Sequence, residues 1–288
     1  AVDMTLMAGK KYNITSQWEK IKKCWSLYKN NKQELLERYI PNNDSYKNPI
    51  TKKKDFKFLL FSFISNFYQE DEIAKIMEYS KEANDTFPNE YLKFLKYISE
   101  NIFEKCLNSF YGIFIKFFDN YSEFGQLEIA AMNNLNIDNN YNVTSFDFYK
   151  TDMFYGSAYE QFTNFIDILA LIFNVHEGRK FNTFLSMDYE KYKSLDKANK
   201  TNPFKEVPEL YSVCEILYSG LRNASHHGDI RFDSVAHIVE YTYGKEKQHT
   251  ETMTYASYLR NCYDMFISCC ILINVIILHK FSYEVLSN

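Results

Sequence analysis

The chain has 288 residues, room for one large or two modest domains, each able to bury its own core. Apolar residues make up 46% of it, with 25 Phe and 24 Tyr, which argues against disorder and for an interior of packed aromatic rings. With only 8 Gly and 5 Pro it is poorly suited to a turn-rich all-β fold, and a net charge of −4 argues against an extended basic platform for nucleic acid. A compact basic site on an otherwise neutral surface remains compatible with that charge.

Residues 16–39 read as a helix, stopped by Pro41 and the polar run Asn42, Asn43, Asp44, Ser45. Trp18 and Trp25 lie seven apart on one face of it, a spacing that points to core or partner contact. Lys52, Lys53, Lys54 and Lys57 form the densest basic cluster of the N-terminal half, read as a solvated helix start or as a phosphate contact. A second helix begins near Asp55, where Phe56, Leu59, Leu60, Phe63, Ile64 and Phe67 keep amphipathic spacing. A third follows Pro88, with Leu95, Ile98, Ile102, Cys106, Phe110 and Ile113 on one stripe.

The Asn-rich run 133–140 is the most polar stretch and the expected boundary between a segment of residues 1–145 and one of residues 146–288. Beyond it, Phe162, Phe165, Ile166, Leu169, Ile172 and Phe173 mark a strong helix. A Lys/Asp/Asn-rich connection covers residues 189–203, and Pro208 then opens a helix carrying Leu210, Val213, Cys214, Leu217 and Leu221. Gly228 is placed to stop that helix. Residues 237–243 alternate as a strand, 244–247 turn, and 248–253 return as its partner. A last helix runs over residues 257–281.

Its apolar run 265–278 (MFISCCILINVIIL) has 14 residues, short of the roughly 20 that span a bilayer, and reads as a core helix. The six cysteines show no CxxC spacing and fall mostly in apolar stretches, where Cys packs as a small hydrophobe. Without a visible signal peptide, a reducing cytoplasmic setting is expected. The expected fold is mainly α: an N-terminal helical region and a C-terminal helical bundle with a short β-hairpin insertion.

One run carries chemistry: Leu221, Arg222, Asn223, Ala224, Ser225, His226, His227, Gly228, Asp229. Cleaving RNA through its 2′-hydroxyl needs a base, an acid and a cation for the crowded phosphorane. Histidine titrates near cellular pH and suits the proton work. Arginine offers a planar fork to phosphate, and Asn223 is placed to orient either partner. Arg222 and His226, four apart, share a helical face, whereas Arg222 and His227 diverge by roughly 140°. Within one subunit His226 is favoured; across a two-fold axis His227 becomes usable. The same run also suits a cluster of cations capping a helix C-terminus. A metal site at His226, His227 and Asp229 is disfavoured, because adjacent helical histidines point roughly 100° apart.

These residues resemble the HEPN family, whose signature is Arg, four to six residues, then His, often with a polar residue after the Arg. Arg222 to His227 fits with four intervening residues, while His226 falls one short. The resemblance covers roughly residues 150–288 and implies an all-α bundle whose two copies bring their motifs into one cleft. It implies a metal-independent endoribonuclease of toxin–antitoxin or anti-phage systems, needing no cofactor, with Arg222, Asn223 and His227 catalytic. His226, Asp229 and Glu160 are its expected supporting residues; Glu160 and Asp167 on the preceding helix either orient Arg222, as acidic residues on the neighbouring helix do in some HEPN proteins, or, as such charges more often are, stay solvated. Expected partners are RNA, a second copy, and an antitoxin or phage-derived trigger, with no membrane. A non-catalytic RNA- or nucleotide-binding dimer is the alternative. His176, His237, His249 and His279 stand alone and receive no role.

Overall fold

Scarce glycine and proline leave little to interrupt helices, and the chain is mainly helical with one small antiparallel sheet. The computed structural model describes residues 4–50, 52–132, 143 and 147–287. The Asn-rich run expected to mark the domain boundary lies outside the described residues.

The N-terminal segment contributes α1 (Met4–Lys29), α2 (Gln33–Tyr39), α3 (Phe56–Ile64), α4 (Glu70–Thr86), α5 (Pro88–Tyr97), α6 (Phe103–Asp119) and α7 (Tyr121–Met132). The single helix expected over residues 16–39 is divided, because Asn31 turns left-handed at φ 53° between α1 and α2. Asparagine accepts that conformation more readily than most residues. Asp55 caps α3 by accepting the Lys57 amide at 2.8 Å. Helix α4, which the sequence reading passed over, starts with a Gln69/Glu72 capping box and buries Ile73, Ile76, Tyr79 and Ala83. Pro88 is the first residue of α5, and a π turn, Ile98–Ile102, joins it to α6.

The C-terminal segment contributes α8 (Phe148–Thr151), α9 (Phe154–Phe165), α10 (Asp167–His176), α11 (Tyr189–Lys193), α12 (Pro208–Tyr211) and α13 (Ser219–His227). Strands β1 (Ile230–Asp233), β2 (Ile238–Tyr243) and β3 (His249–Thr254) follow, then α14 (Tyr255–Leu286). The sheet order is β1-β2-β3, with Ile230 opposite Tyr241 and Val239 opposite Met253. The hairpin expected from alternation is β2–β3, turned at Gly244 (φ 89°); β1 adds a third strand.

Helix α14 is the axis of the fold. By length and composition it could cross a membrane, yet 78% of its most apolar window is buried within the chain. It packs on α3, α4, α5, α6 and α7 as well as on α9, so one continuous apolar cluster joins the two segments. Phe266 stacks on Phe117 at 3.7 Å between ring centroids, tying α14 to α6. Trp18 packs on Phe118 and Trp25 on Tyr111, so both tryptophans serve internal packing. All six cysteines are free and buried.

The helix expected to run unbroken from Pro208 is interrupted. After α12 and a 3-10 turn, Ser212–Cys214, the chain opens and restarts at Ser219. Tyr155 of α9 holds the opening: its hydroxyl accepts the Tyr218 amide at 2.8 Å and donates to the Ile216 carbonyl at 2.6 Å. One side chain thus reinforces the tight turn in which the Tyr218 amide also donates to the Ile216 carbonyl at 2.9 Å.

Candidate active site

The nine-residue helix α13 lies between α9 and β2. It crosses α9 closely, because Gly156 presents no side chain to Ser225; a Cβ there would stand 3.0 Å from Ser225 Oγ. The same hydroxyl donates to the Asp152 carbonyl at 2.6 Å. At its far end Gly228 adopts φ 71°, and the Asp229 amide returns to the Ala224 carbonyl at 2.9 Å. That closure ends the helix one residue after His227, as the glycine predicted. The Asp229 carbonyl then accepts the Thr242 amide at 3.0 Å, joining the helix end to β2.

Arg222 and Asn223 are brought together with Glu160. Arg222 Nε donates to Glu160 Oε1 at 2.5 Å, Nη2 donates to the same oxygen, and Nη1 donates to Asn223 Oδ1 at 2.6 Å. The guanidinium also lies over the Tyr159 ring, 5.9 Å from its centroid. Glu160 Oε2 is held by Lys197 Nζ. Burial pushes the Glu160 carboxyl up, but the hydrogen bonds and charges of Lys197 and Arg222 outweigh it and hold the group below its ordinary range. Three of the five N–H groups of Arg222 are thereby used, and two remain for an incoming acceptor.

His226 and His227 stand exposed at the helix end, their rings edge to face at 5.6 Å. Among the described residues neither makes a hydrogen bond, and neither is joined to Arg222. Asp229 faces elsewhere and pairs with Lys247. Asp167 does not orient Arg222: its carboxylate is taken by Lys200 Nζ at 3.0 Å and lies 3.5 Å from the Tyr189 hydroxyl. Of the basic cluster, Lys54 caps α2 through the Glu37 and Ile40 carbonyls, and Lys57 pairs with Asp55 and Glu284. Among the described residues no group of three or more His, Cys, Asp or Glu is gathered as a metal site would need.

Lys197 and Tyr155 were missed in the sequence. Lys197 sits in a short 3-10 turn, Lys197–Asn199, inside a run of similar lysines, with no periodicity to single it out. Tyr155 reads as one more core aromatic, and only its hydroxyl gives it a special part. Comparison of the chain with family models, with curated proteins and with solved structures finds no match. The HEPN resemblance therefore rests on the motif and on the order of elements around it.

Proposed function

We propose that the chain is a metal-independent endoribonuclease acting through Arg222 and His227 of two copies paired across a shared cleft. The observation that carries this reading is the pairing of an oriented arginine with two unengaged histidines on one short helix. Glu160 and Asn223 fix the guanidinium and leave two N–H groups for a phosphate oxygen. His226 and His227 present their rings to solvent at the same helix end.

The chemistry divides among few groups. A neutral histidine takes the proton from the 2′-hydroxyl as its oxygen attacks the adjacent phosphorus. Arg222 balances the charge that builds on the phosphorane oxygens. A protonated histidine gives its proton to the departing 5′-oxygen, leaving a 2′,3′-cyclic phosphate and a 5′-hydroxyl. Because His227 diverges from Arg222 on one helix, a second copy is needed to complete the set. A toxin or anti-phage effector, held inactive by an antitoxin or awaiting a trigger, is the setting this reading implies.

A second reading, a dimeric module that binds RNA or nucleotide without cutting, draws on the engagement of Arg222 by Glu160 and Asn223. One experiment separates them: incubation of RNA with purified protein in excess EDTA, using wild type, Arg222→Ala, His227→Ala and His226→Ala after each is shown to be folded. Cleavage by wild type and His226→Ala alone, with cyclic phosphate ends, supports the nuclease reading. Loss only in His226→Ala moves the proton work one residue back. RNA bound but uncut by every form favours the binding module.

A further inference from the structure

Beside α10, residues 184–187 with Arg179, Leu195, Asn199 and Pro203 line a half-open cavity of about 610 Å³, a volume suited to a molecule of two fused rings with a substituent. Its lining is mainly apolar and flat: the rings of Phe173 and Phe184, with Met187, Leu195 and Pro203. Phe184 is stiffened by stacking on Tyr192, centroids 4.4 Å apart and planes 15° from parallel. Leu185, at the rim, is 88% exposed and adds apolar surface at the mouth.

Arg179 is the one charged residue of this lining. Its Nε donates to Asn174 Oδ1 at 3.2 Å, and its guanidinium lies 5.1 Å from the Phe173 centroid. Glu177 approaches Nη1 only to 3.9 Å, and Nη2 makes no hydrogen bond among the described residues. A largely covered cation whose carboxylate partner, Glu177, stands 3.9 Å away and is half exposed can take a closer anionic acceptor at an aromatic-walled cavity.

From these observations we propose that this cavity is a binding site for a small planar aromatic anion, its ring between Phe173 and Phe184 and its anionic group on Arg179. The site also reaches Arg222. Leu195 and Asn199 line the cavity, and Lys197 between them holds Glu160, which holds Arg222. A ligand pressing on Leu195 and Asn199 shifts the lysine that anchors the arginine clamp. This coupling concerns the site assigned above, whereas the binding itself stands whether or not that site cuts RNA.

The test uses the full chain and two fluorescent probes: 8-anilinonaphthalene-1-sulfonate, an anion on a planar naphthalene, and N-phenyl-1-naphthylamine, its uncharged counterpart. Saturable sulfonate binding at one site per chain is expected. Arg179→Gln should weaken it by about tenfold and leave the neutral probe within about twofold, as loss of one charge-assisted contact implies. Asn199→Trp, at an exposed position and checked by circular dichroism to be folded, should block both probes by filling the cavity. Coupling is reciprocal, so Lys197→Met should change sulfonate affinity by about threefold or more while the remote exposed Lys23→Met does not. Sulfonate binding unaffected by both Arg179→Gln and Asn199→Trp, or absent from the folded wild type, overturns the site. An unchanged affinity in Lys197→Met overturns the link to Arg222 alone.

Discussion

Glu160 of α9 receives two guanidinium nitrogens of Arg222 of α13 on one carboxylate oxygen, and gives its other oxygen to Lys197. The two side chains are about three-quarters covered, at 21% and 24% exposure, so the pair is screened but not fully solvated. Glu160→Gln should cost about 1 kcal/mol at neutral pH, the upper range for such partly exposed pairs. The folded-state carboxyl is depressed, so its stabilisation is present above the unfolded value and is lost as pH falls through the folded one. Urea unfolding of wild type and variant should therefore differ at pH 7 and converge well below pH 4. A difference that persists in acid would show that Glu160 acts by packing and not by charge.

Gly156 decides how closely α9 and α13 approach. Gly156→Ala places a methyl carbon 3.0 Å from Ser225 Oγ, and that oxygen cannot easily retreat because it is tied to the Asp152 carbonyl. Overpacking of this kind costs about 1–3 kcal/mol. Gly228→Ala meets no atom within 4 Å and bears only the left-handed backbone, φ 71°, at about 1 kcal/mol. Thermal melts should rank Gly156→Ala below Gly228→Ala. The reverse order would mean that α13 can slide on α9.

Much of this was readable from the residues. Helix caps declare themselves locally, so Asp55, Pro88 and Gly228 set their boundaries correctly. The β2–β3 hairpin also followed from alternation and a glycine turn. What failed was long-range. Val213, Leu217 and Leu221 keep helical spacing, yet a hydroxyl 63 positions away from Tyr218 breaks the helix between them. Glu160 was a candidate as an acidic residue on the helix before the motif helix, but so was Asp167, and only the fold hands Asp167 to Lys200. Composition cannot separate two carboxylates on neighbouring helices.

That hydroxyl gives a sharp test. Tyr155 is fully buried, and its oxygen serves both the Tyr218 amide and the Ile216 carbonyl. Tyr155→Phe keeps the ring and strips the bridge, leaving the Tyr218 amide and the Ile216 carbonyl only their 2.9 Å bond to each other, at about 1 kcal/mol. Amide exchange should accelerate at Tyr218 and the first turn of α13 before it does elsewhere. Under the nuclease reading the variant should also lose activity, because the entry to the motif helix loosens. Unchanged exchange at Tyr218 would mean that water replaces the hydroxyl.

His279, given no role from sequence, ends a buried relay between α14, α4 and α5. Its Nδ1 donates to the Val275 carbonyl at 2.7 Å, so Nε2 is the acceptor and takes the Ser80 hydroxyl at 2.8 Å, while the Tyr91 hydroxyl reaches Ser80 at 2.8 Å. Complete burial pushes this imidazole down to about 4. An unfolded histidine takes its proton near 6.5, so between those values the unfolded chain binds a proton that the folded one refuses. The stabilisation is present above about pH 6.5 and falls with pH, by about 2 kcal/mol at pH 5. Asp167 and Asp264, whose carboxyls burial raises, titrate with the opposite sign, so the comparison must be made between variants. His279→Leu with Ser80→Ala removes the histidine without stranding the serine. Urea midpoints at pH 7.5 and pH 5 should move apart in wild type by more than in the double variant. Equal shifts would mean that the buried ring finds a partner for its second proton and that its titration is not coupled to folding.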